Sequence, residues 1–65
     1  MSNRRETWSE LKKKYPNKCI IYIDPVYEGD SFTCTVLDVC DIENRIERFT
    51  EILDIYPYAI IDGTS

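Results

Sequence analysis

The apolar residues between positions 41 and 56 recur at the spacing of one face of an α-helix. Counted from Ile42, they fall at i+4, i+7, i+10 or i+11, and i+14, a repeat that places side chains on one side of a helix. Asp41 stands at the N-cap position, and Pro57 ends the pattern. The sequence therefore predicts a helix over residues 41–56 with a face in the core. The residues expected in that core are Ile42, Ile46, Phe49, Ile52 and Leu53.

A shorter helix is predicted near the N-terminus. Thr7 and Glu10 match a capping box, in which the threonine hydroxyl accepts a hydrogen bond from the Glu10 amide. Pro16 ends this helix, because the residue before a proline is pushed out of the α region. A start near Ser2, with Thr7 inside the helix, is the alternative. The apolar face of this helix consists of Trp8, Leu11 and Tyr15.

Three segments rich in β-branched and aromatic residues are predicted to be strands. The first, residues 18–23, is apolar on both faces, which is typical of a central strand. The second, residues 32–39, follows a loop over residues 26–31 that turns at Gly29, so a hairpin is expected. The third covers residues 58–61. Alternation places Phe32, Cys34 and Val36 on one face of the second strand, and Thr33, Thr35, Leu37 and Val39 on the other.

These elements predict a single α+β domain over residues 1–65 with the element order α-β-β-α-β. The predicted sheet has three strands, mainly antiparallel, in the spatial order 2-1-3, with both helices packed on one face. The spatial order 1-2-3, with a parallel last pair, is the main alternative. The polar ends, residues 1–6 and 62–65, are expected to fray.

Composition removes several classes of function. A chain of 65 residues has room for one small core, which gains from oligomerisation or from a partner. The formal net charge of -4 argues against binding nucleic acid through its phosphates, because that needs a basic surface. No apolar segment is long enough to span a membrane. The odd number of cysteines and an N-terminus without an apolar run predict a cytoplasmic protein with reduced thiols and no signal peptide.

The sequence contains few residues that are candidates for catalysis or for metal binding. The chain has no histidine, so the usual general base, histidine metal ligands and Ser-His or Cys-His pairs are missing. The cysteines form no C-x-x-C, and the carboxylates of Asp24, Glu28 and Asp30 do not follow the calcium-loop spacing. We therefore expect no enzyme activity, metal, cofactor or small-molecule ligand. One hypothesis stays open at Cys40, where the start of a helix would lower the thiol pKa and suit a redox sensor.

The N-terminal part of the chain has the pattern W-x-x-L-x-x-x-Y-P-x-K before the predicted hairpin, carried by Trp8, Leu11, Tyr15, Pro16 and Lys18. This pattern resembles the opening of a family of small bacterial domains of unknown function. Residues 36–41 are similar to the V-x-x-V-C-D that closes the hairpin in some of these domains. In many of them an aromatic residue follows the lysine, whereas Cys19 stands there in this chain. The resemblance implies a fold of this kind and a bacterial or phage source, and it implies no activity.

The polar side of the main helix carries the remaining site candidate. Glu43, Glu47 and Glu51 follow one another four residues apart, and Asp54 lies three residues further on. Like charges at this spacing repel, and acids near a helix C-terminus oppose the helix dipole. An ordinary solvated face is one interpretation, and a docking surface for a basic partner protein is the other.

Two hypotheses of function follow from these observations. The first is a small interaction or accessory module that binds another protein or itself, since an exposed edge strand is a template for pairing. The second is an inhibitor from a phage or mobile element that presents acids to a basic host protein in place of nucleic-acid phosphates. The net charge of -4 is modest for such mimicry, so the first hypothesis is preferred.

Overall fold

Two long paired strands form the centre of the fold. In the computed structural model, which describes residues 5–64, β2 and β3 pair antiparallel from Lys18 and Asp41 at one end to Glu28 and Ser31 at the other. The elements in chain order are β1 Arg5–Thr7, α1 Trp8–Lys14, β2 Lys18–Glu28, β3 Ser31–Asp41, a 3-10 helix Ile42–Asn44, α2 Arg45–Leu53 and β4 Ile60–Gly63.

The prediction of a three-stranded sheet is wrong. The sheet has four strands, all antiparallel, in the order β1-β3-β2-β4. The additional strand, β1, comes from the polar segment that the sequence predicts to fray. The predicted fraying of residues 1–4 and 65 lies outside the described residues. The alternative with Thr7 inside the first helix is wrong, because Thr7 ends β1 and is the N-cap residue of α1.

The contacts of Arg5 explain how so polar a segment joins the sheet. Its Nη2 atom donates to the backbone carbonyls of Asp24 at 2.6 Å and Thr33 at 3.0 Å, and Nη1 donates to Thr35 Oγ1 at 3.5 Å. One guanidinium group therefore links β1 to both central strands. The three-residue strand is followed directly by α1, where Thr7 caps the helix by accepting a hydrogen bond from the Glu10 amide at 3.3 Å.

The prediction that both helices pack on one face is also wrong. Neighbouring residues of β2 point to opposite faces of the sheet, and the two helices cover different members of this alternation. On one face, which we call the α1 core, the buried residues are Leu11, Ile20, Tyr22 and Cys34, with Trp8 and Tyr15 packed against them. On the other face, the α2 core, the buried residues are Cys19, Ile21 and Cys40, with Phe49, Ile52, Ala59 and Ile61 packed against them.

A β-bulge explains why strict alternation misplaces one residue of β3. Leu37 is an extra residue between the positions that pair with Ile21 and Tyr22. Beyond the bulge the two faces of β3 exchange, so Val39 packs with Val36 on the α1 core. The predicted grouping of Val39 with the opposite face is therefore wrong.

The end of the β2–β3 hairpin that extends past β4 contains two residues with left-handed backbone. A second bulge includes Asp24 and Pro25, and Asp24 has a φ of 53°. Gly29, with a φ of 62°, is the first central residue of a two-residue turn, as in the II′ turns that join hairpin strands. A non-glycine side chain is disfavoured there, because left-handed backbone crowds its Cβ atom.

The main helix is shorter and more exposed than its periodicity predicts. Residues 42–44 form a turn of 3-10 helix, α2 ends at Leu53, and none of the described residues of α2 is buried. Phe49 and Ile52 are half-buried against the sheet, whereas Ile42 and Ile46 are 42% and 70% exposed. The prediction that Ile42 and Ile46 belong to the core is wrong, because α2 contacts the sheet mainly through the opposite edge of its apolar stripe. Within residues 5–64, no helix is long and apolar enough to cross a membrane.

Candidate functional site

The acidic face of the main helix, defined as Glu43, Glu47, Glu51 and Asp54, is exposed along its whole length. Glu43 lies in the 3-10 turn, Glu47 and Glu51 lie on α2, and Asp54 is the C-cap residue. None of these carboxylates has an ion-pair partner among residues 5–64. The four residues predicted as a partner-binding stripe are therefore all exposed along the segment formed by the 3-10 helix, α2 and its C-cap.

The two cations on the same helix are engaged in other contacts. Arg48 Nη2 lies 2.8 Å from Asp38 Oδ2, an ion pair without hydrogen-bond alignment that ties α2 to β3. Arg45 Nη1 donates to the Ile42 carbonyl at 2.7 Å. Neither guanidinium group forms an ion pair with a carboxylate of the acidic face. The acidic face therefore presents its carboxylates to solvent without an ion-pair partner on its own helix.

Exposed apolar side chains border the acidic face. Ile46 lies three residues after Glu43 and four before Thr50, so these three side chains are neighbours on the helix surface. The Thr50 hydroxyl is turned toward the backbone of its own helix, because it donates a hydrogen bond to the Ile46 carbonyl at 2.7 Å. The surface that results combines carboxylates with an isoleucine that is 70% exposed. Such a mixture offers a partner both electrostatic attraction and apolar contact.

Asp41 does not cap the main helix as predicted. It occupies the N-cap position of the 3-10 turn, but its side chain makes no capping hydrogen bond. Its carboxylate accepts a hydrogen bond from Lys18 Nζ instead, and this contact raises the pKa of the Lys18 ammonium group. The pair closes the end of the β2–β3 ladder, where Lys18 and Asp41 are opposite each other.

The environment of Cys40 opposes the redox-sensor hypothesis in its original form. The side chain is 6% exposed, and burial is the largest of the causes that raise its thiol pKa, followed by the neighbouring Cys19 and Asp38. A raised pKa reduces the thiolate fraction near neutral pH, whereas a single activated thiol needs the opposite shift. Burial likewise raises the pKa of the Cys34 thiol.

The other candidate ligands lie apart. Asp24, Glu28 and Asp30 are all exposed near the hairpin turn, and the Asp24 carbonyl is occupied by Arg5. Among residues 5–64, no group of three or more cysteine or acidic side chains is placed to hold a metal ion.

A charged groove lies beside α1 and was not anticipated from the sequence. Its volume is about 520 Å³, and its walls include the ion pair between Lys14 Nζ and Glu6 Oε1 at 2.9 Å. The groove depends on β1, whose three residues carry no local strand signal, so periodicity alone does not locate it. Its lining residues are Arg5, Glu6, Glu10, Lys13 and Lys14.

Comparisons with known proteins add no homologue. No protein-family model matches the chain, no curated protein is significantly similar to it, and no solved structure matches it.

Proposed function

We propose that this chain is a small cytoplasmic interaction module without catalytic activity, and that its acidic face binds a basic partner protein. The observation that carries the proposal is the separation of charge on α2. The carboxylates of Glu47 and Glu51 face solvent, whereas the guanidinium groups of Arg45 and Arg48 are held by other contacts.

The energetics of the helix support this interpretation over a purely solvated face. Like charges four residues apart destabilise a helix by about 0.2 to 0.5 kcal/mol per pair. The helix dipole favours Glu43 and Glu47 in the first turns but opposes Glu51 and Asp54 near the C-terminus, where no cation offsets them. A sequence shaped only by stability would alternate these acids with lysines. Docking of a basic protein would relieve the repulsion and steer the approach of that protein.

The proposal is tested by capture on the immobilised chain from an extract of its native host. Three forms are compared: the wild type, the triple substitution Glu43→Gln, Glu47→Gln and Glu51→Gln, and a control that removes equal charge elsewhere. The control carries Glu10→Gln, Glu28→Gln and Asp30→Asn, all at exposed positions. We expect the wild type and the control to capture the same basic protein, and the triple substitution to capture at least ten-fold less. Undiminished capture by the triple substitution would remove the acidic face from the account.

Competition with nucleic acid separates the interaction module from the alternative of a phage or mobile-element inhibitor. An inhibitor that imitates phosphates occupies the nucleic-acid surface of its target, so duplex DNA added at physiological salt, where non-specific binding of DNA to basic proteins is weak, displaces the captured protein. For an interaction module without mimicry, DNA leaves capture unchanged. The acidic face is common to both ideas, and only this competition distinguishes them.

Self-association is a second candidate, favoured by exposed apolar side chains outside the acidic face. Ile46, Ile55 and Tyr58 are 70%, 69% and 61% exposed, and a core of this size gains from burial in a dimer. Both sheet edges are poor templates, however, because the edge strands β1 and β4 have only three and four residues. Light scattering at micromolar concentration tests the dimer, and a monomer at all concentrations excludes it.

A further inference from the structure

Two of the three cysteines are directly opposite each other in the sheet. Cys19 on β2 pairs with Cys40 on β3, and both belong to the buried α2 core with exposed fractions of 5% and 6%. Cys34 lies in the α1 core on the other face. The sheet itself therefore separates Cys34 from the pair.

The direction of the backbone hydrogen bonds gives the spacing of this pair. The Lys18 amide donates to Thr64 Oγ1 at 3.0 Å, and the Lys18 carbonyl accepts from the Thr64 amide at 2.9 Å. Lys18 thus directs its polar groups to the β4 side, and by alternation Cys19 directs its own to β3. Cys19 and Cys40 form a hydrogen-bonded pair, for which the Cα separation is about 5.5 Å, within the range of about 4.4 to 6.8 Å that a disulfide spans.

We propose that Cys19 and Cys40 form a reversible cross-strand disulfide when the chain meets a disulfide oxidant such as glutathione disulfide. The Cys19 sulfur attacks the oxidant, forming a mixed disulfide and releasing one glutathione thiol. The Cys40 sulfur then attacks the Cys19 sulfur and releases the second glutathione thiol. In total the two cysteines lose two hydrogen atoms, and the oxidant is reduced to two thiols.

The packing around the pair predicts a disulfide that is easily reduced. In a hydrogen-bonded pair the Cβ atoms stand toward the wide end of about 4.5 to 5.5 Å, whereas a relaxed disulfide has them about 3.5 to 4.5 Å apart. Closing this gap strains the bond, and strained disulfides are the labile ones. Access comes through α2, because Phe49 and Ile52 cover the pair from a helix with no buried residue among those described.

The experiment oxidises the folded chain with glutathione disulfide, blocks the remaining thiols with N-ethylmaleimide and maps the peptides by mass spectrometry. We expect the wild type to lose two alkylatable thiols and to yield a linked peptide containing Cys19 and Cys40. A modest excess of reduced glutathione is expected to restore both thiols. A linked peptide that resists this reduction would overturn the strained geometry.

Substitutions and a denatured control identify the pair without relying on one variant. Cys34→Ala is expected to form the same link, and Cys19→Ala and Cys40→Ala are expected to form none. In denaturant, the short loop between Cys34 and Cys40 favours that pairing instead, because loop closure is less costly for neighbours in sequence. Three free thiols in the folded wild type, a link through Cys34, or dimers alone would overturn the proposal.

Discussion

Tyr22 shows how one side chain connects the α1 core to the edge of the sheet. Its ring is 2% exposed and packs against Trp8 and Phe32, with ring centroids 5.9 and 5.5 Å away. Its hydroxyl donates to Asp62 Oδ2 on β4 at 2.6 Å. Burial, and then this hydrogen bond, raise the pKa of the Tyr22 hydroxyl far above its ordinary value. The side chain therefore stays neutral in the folded protein when an unfolded tyrosine ionises.

The sign of this shift predicts a loss of stability at alkaline pH. The pKa of Tyr22 in the folded protein lies above the unfolded value of about 10. The Tyr22 hydroxyl therefore contributes fully to the free energy of unfolding below about pH 10, and its contribution declines as the pH rises further. Tyr22→Phe is expected to cost about 1 kcal/mol at pH 7 through the lost hydrogen bond. Above about pH 10, the free energy of unfolding of Tyr22→Phe is expected to decline less steeply with pH than that of the wild type. The two slopes are expected to differ by about 1.4 kcal/mol per pH unit.

Urea unfolding at pH 7, 10 and 11 measures this difference. Tyr58→Phe removes an exposed hydroxyl and is the matched control, for which we expect the wild-type curve. Parallel alkaline curves for the wild type and Tyr22→Phe would show that the Tyr22 hydroxyl is accessible in the folded chain.

At this scale the sequence predicts local chemistry better than tertiary partners. The Thr7 cap forms as its pattern predicts, because both partners lie within one helical turn. Asp41 also matches a capping pattern, yet its carboxylate pairs with Lys18 from the neighbouring strand. The sequence near Asp41 does not show whether its carboxylate will cap the helix or pair with a lysine on the neighbouring strand, because the position of that lysine depends on the assembled sheet.

At the scale of elements, periodicity identified α2 but not the part of its apolar stripe that packs. Phe49 and Ile52 contact the α2 core, whereas Ile46 points away from it. A helix pattern reports which residues share a side, and it contains no information on the width of the surface beneath them. Here that surface consists of three buried side chains, Cys19, Ile21 and Cys40, which is narrower than the stripe.

Paired substitutions test this division of α2. Phe49→Ala is expected to destabilise the fold by about 2 kcal/mol, below the full cost of a buried phenylalanine because the ring is half-buried. Ile46→Ala is expected to change stability by no more than about 0.5 kcal/mol. The free energy of unfolding from urea titration gives both values. Equal costs for the two substitutions would place Ile46 in the core after all.

The C-terminal end of the acidic face is expected to reduce the stability of the helix that carries it. Glu43 and Glu47 lie in first turns, where acids complement the helix dipole, whereas Glu51 lies nearer the C-terminus and repels Glu47. Glu51→Gln is therefore expected to stabilise the fold by about 0.5 kcal/mol, and by less in high salt, which screens exposed charges. Thermal unfolding at low and high salt measures this gain, with Glu28→Gln at an exposed hairpin position as the control. A Glu51→Gln variant less stable than the wild type would contradict the repulsion between Glu47 and Glu51.

β1 and the Leu37 bulge mark the limit of element prediction. Arg5, Glu6 and Thr7 have neither alternation nor apolar content, and they become a strand through pairing with residues distant in sequence. The bulge inserts one residue into a segment whose alternation looks regular. Both features depend on long-range pairing, so neither leaves a mark in the local pattern.

At the scale of the whole molecule, the sheet separates two cores, and the helix on one face packs more closely than the helix on the other. α1, between β1 and β2, completes an aromatic-rich core on one face, while α2 covers the other face with half-buried side chains. The exposure of Ile42 and Ile46 follows from this light packing of α2. The sequence predicted the residues of the acidic face, but the contacts that engage Arg45 and Arg48 elsewhere became visible only in the fold.

Amide hydrogen exchange of the chain, alone and bound to the protein it captures, tests the central claim most directly. We predict that binding protects residues 42–54, and that the hairpin turn around Gly29 exchanges at the same rate in both states. Protection confined to that turn, with residues 42–54 unchanged, would contradict the assignment of the binding surface to α2.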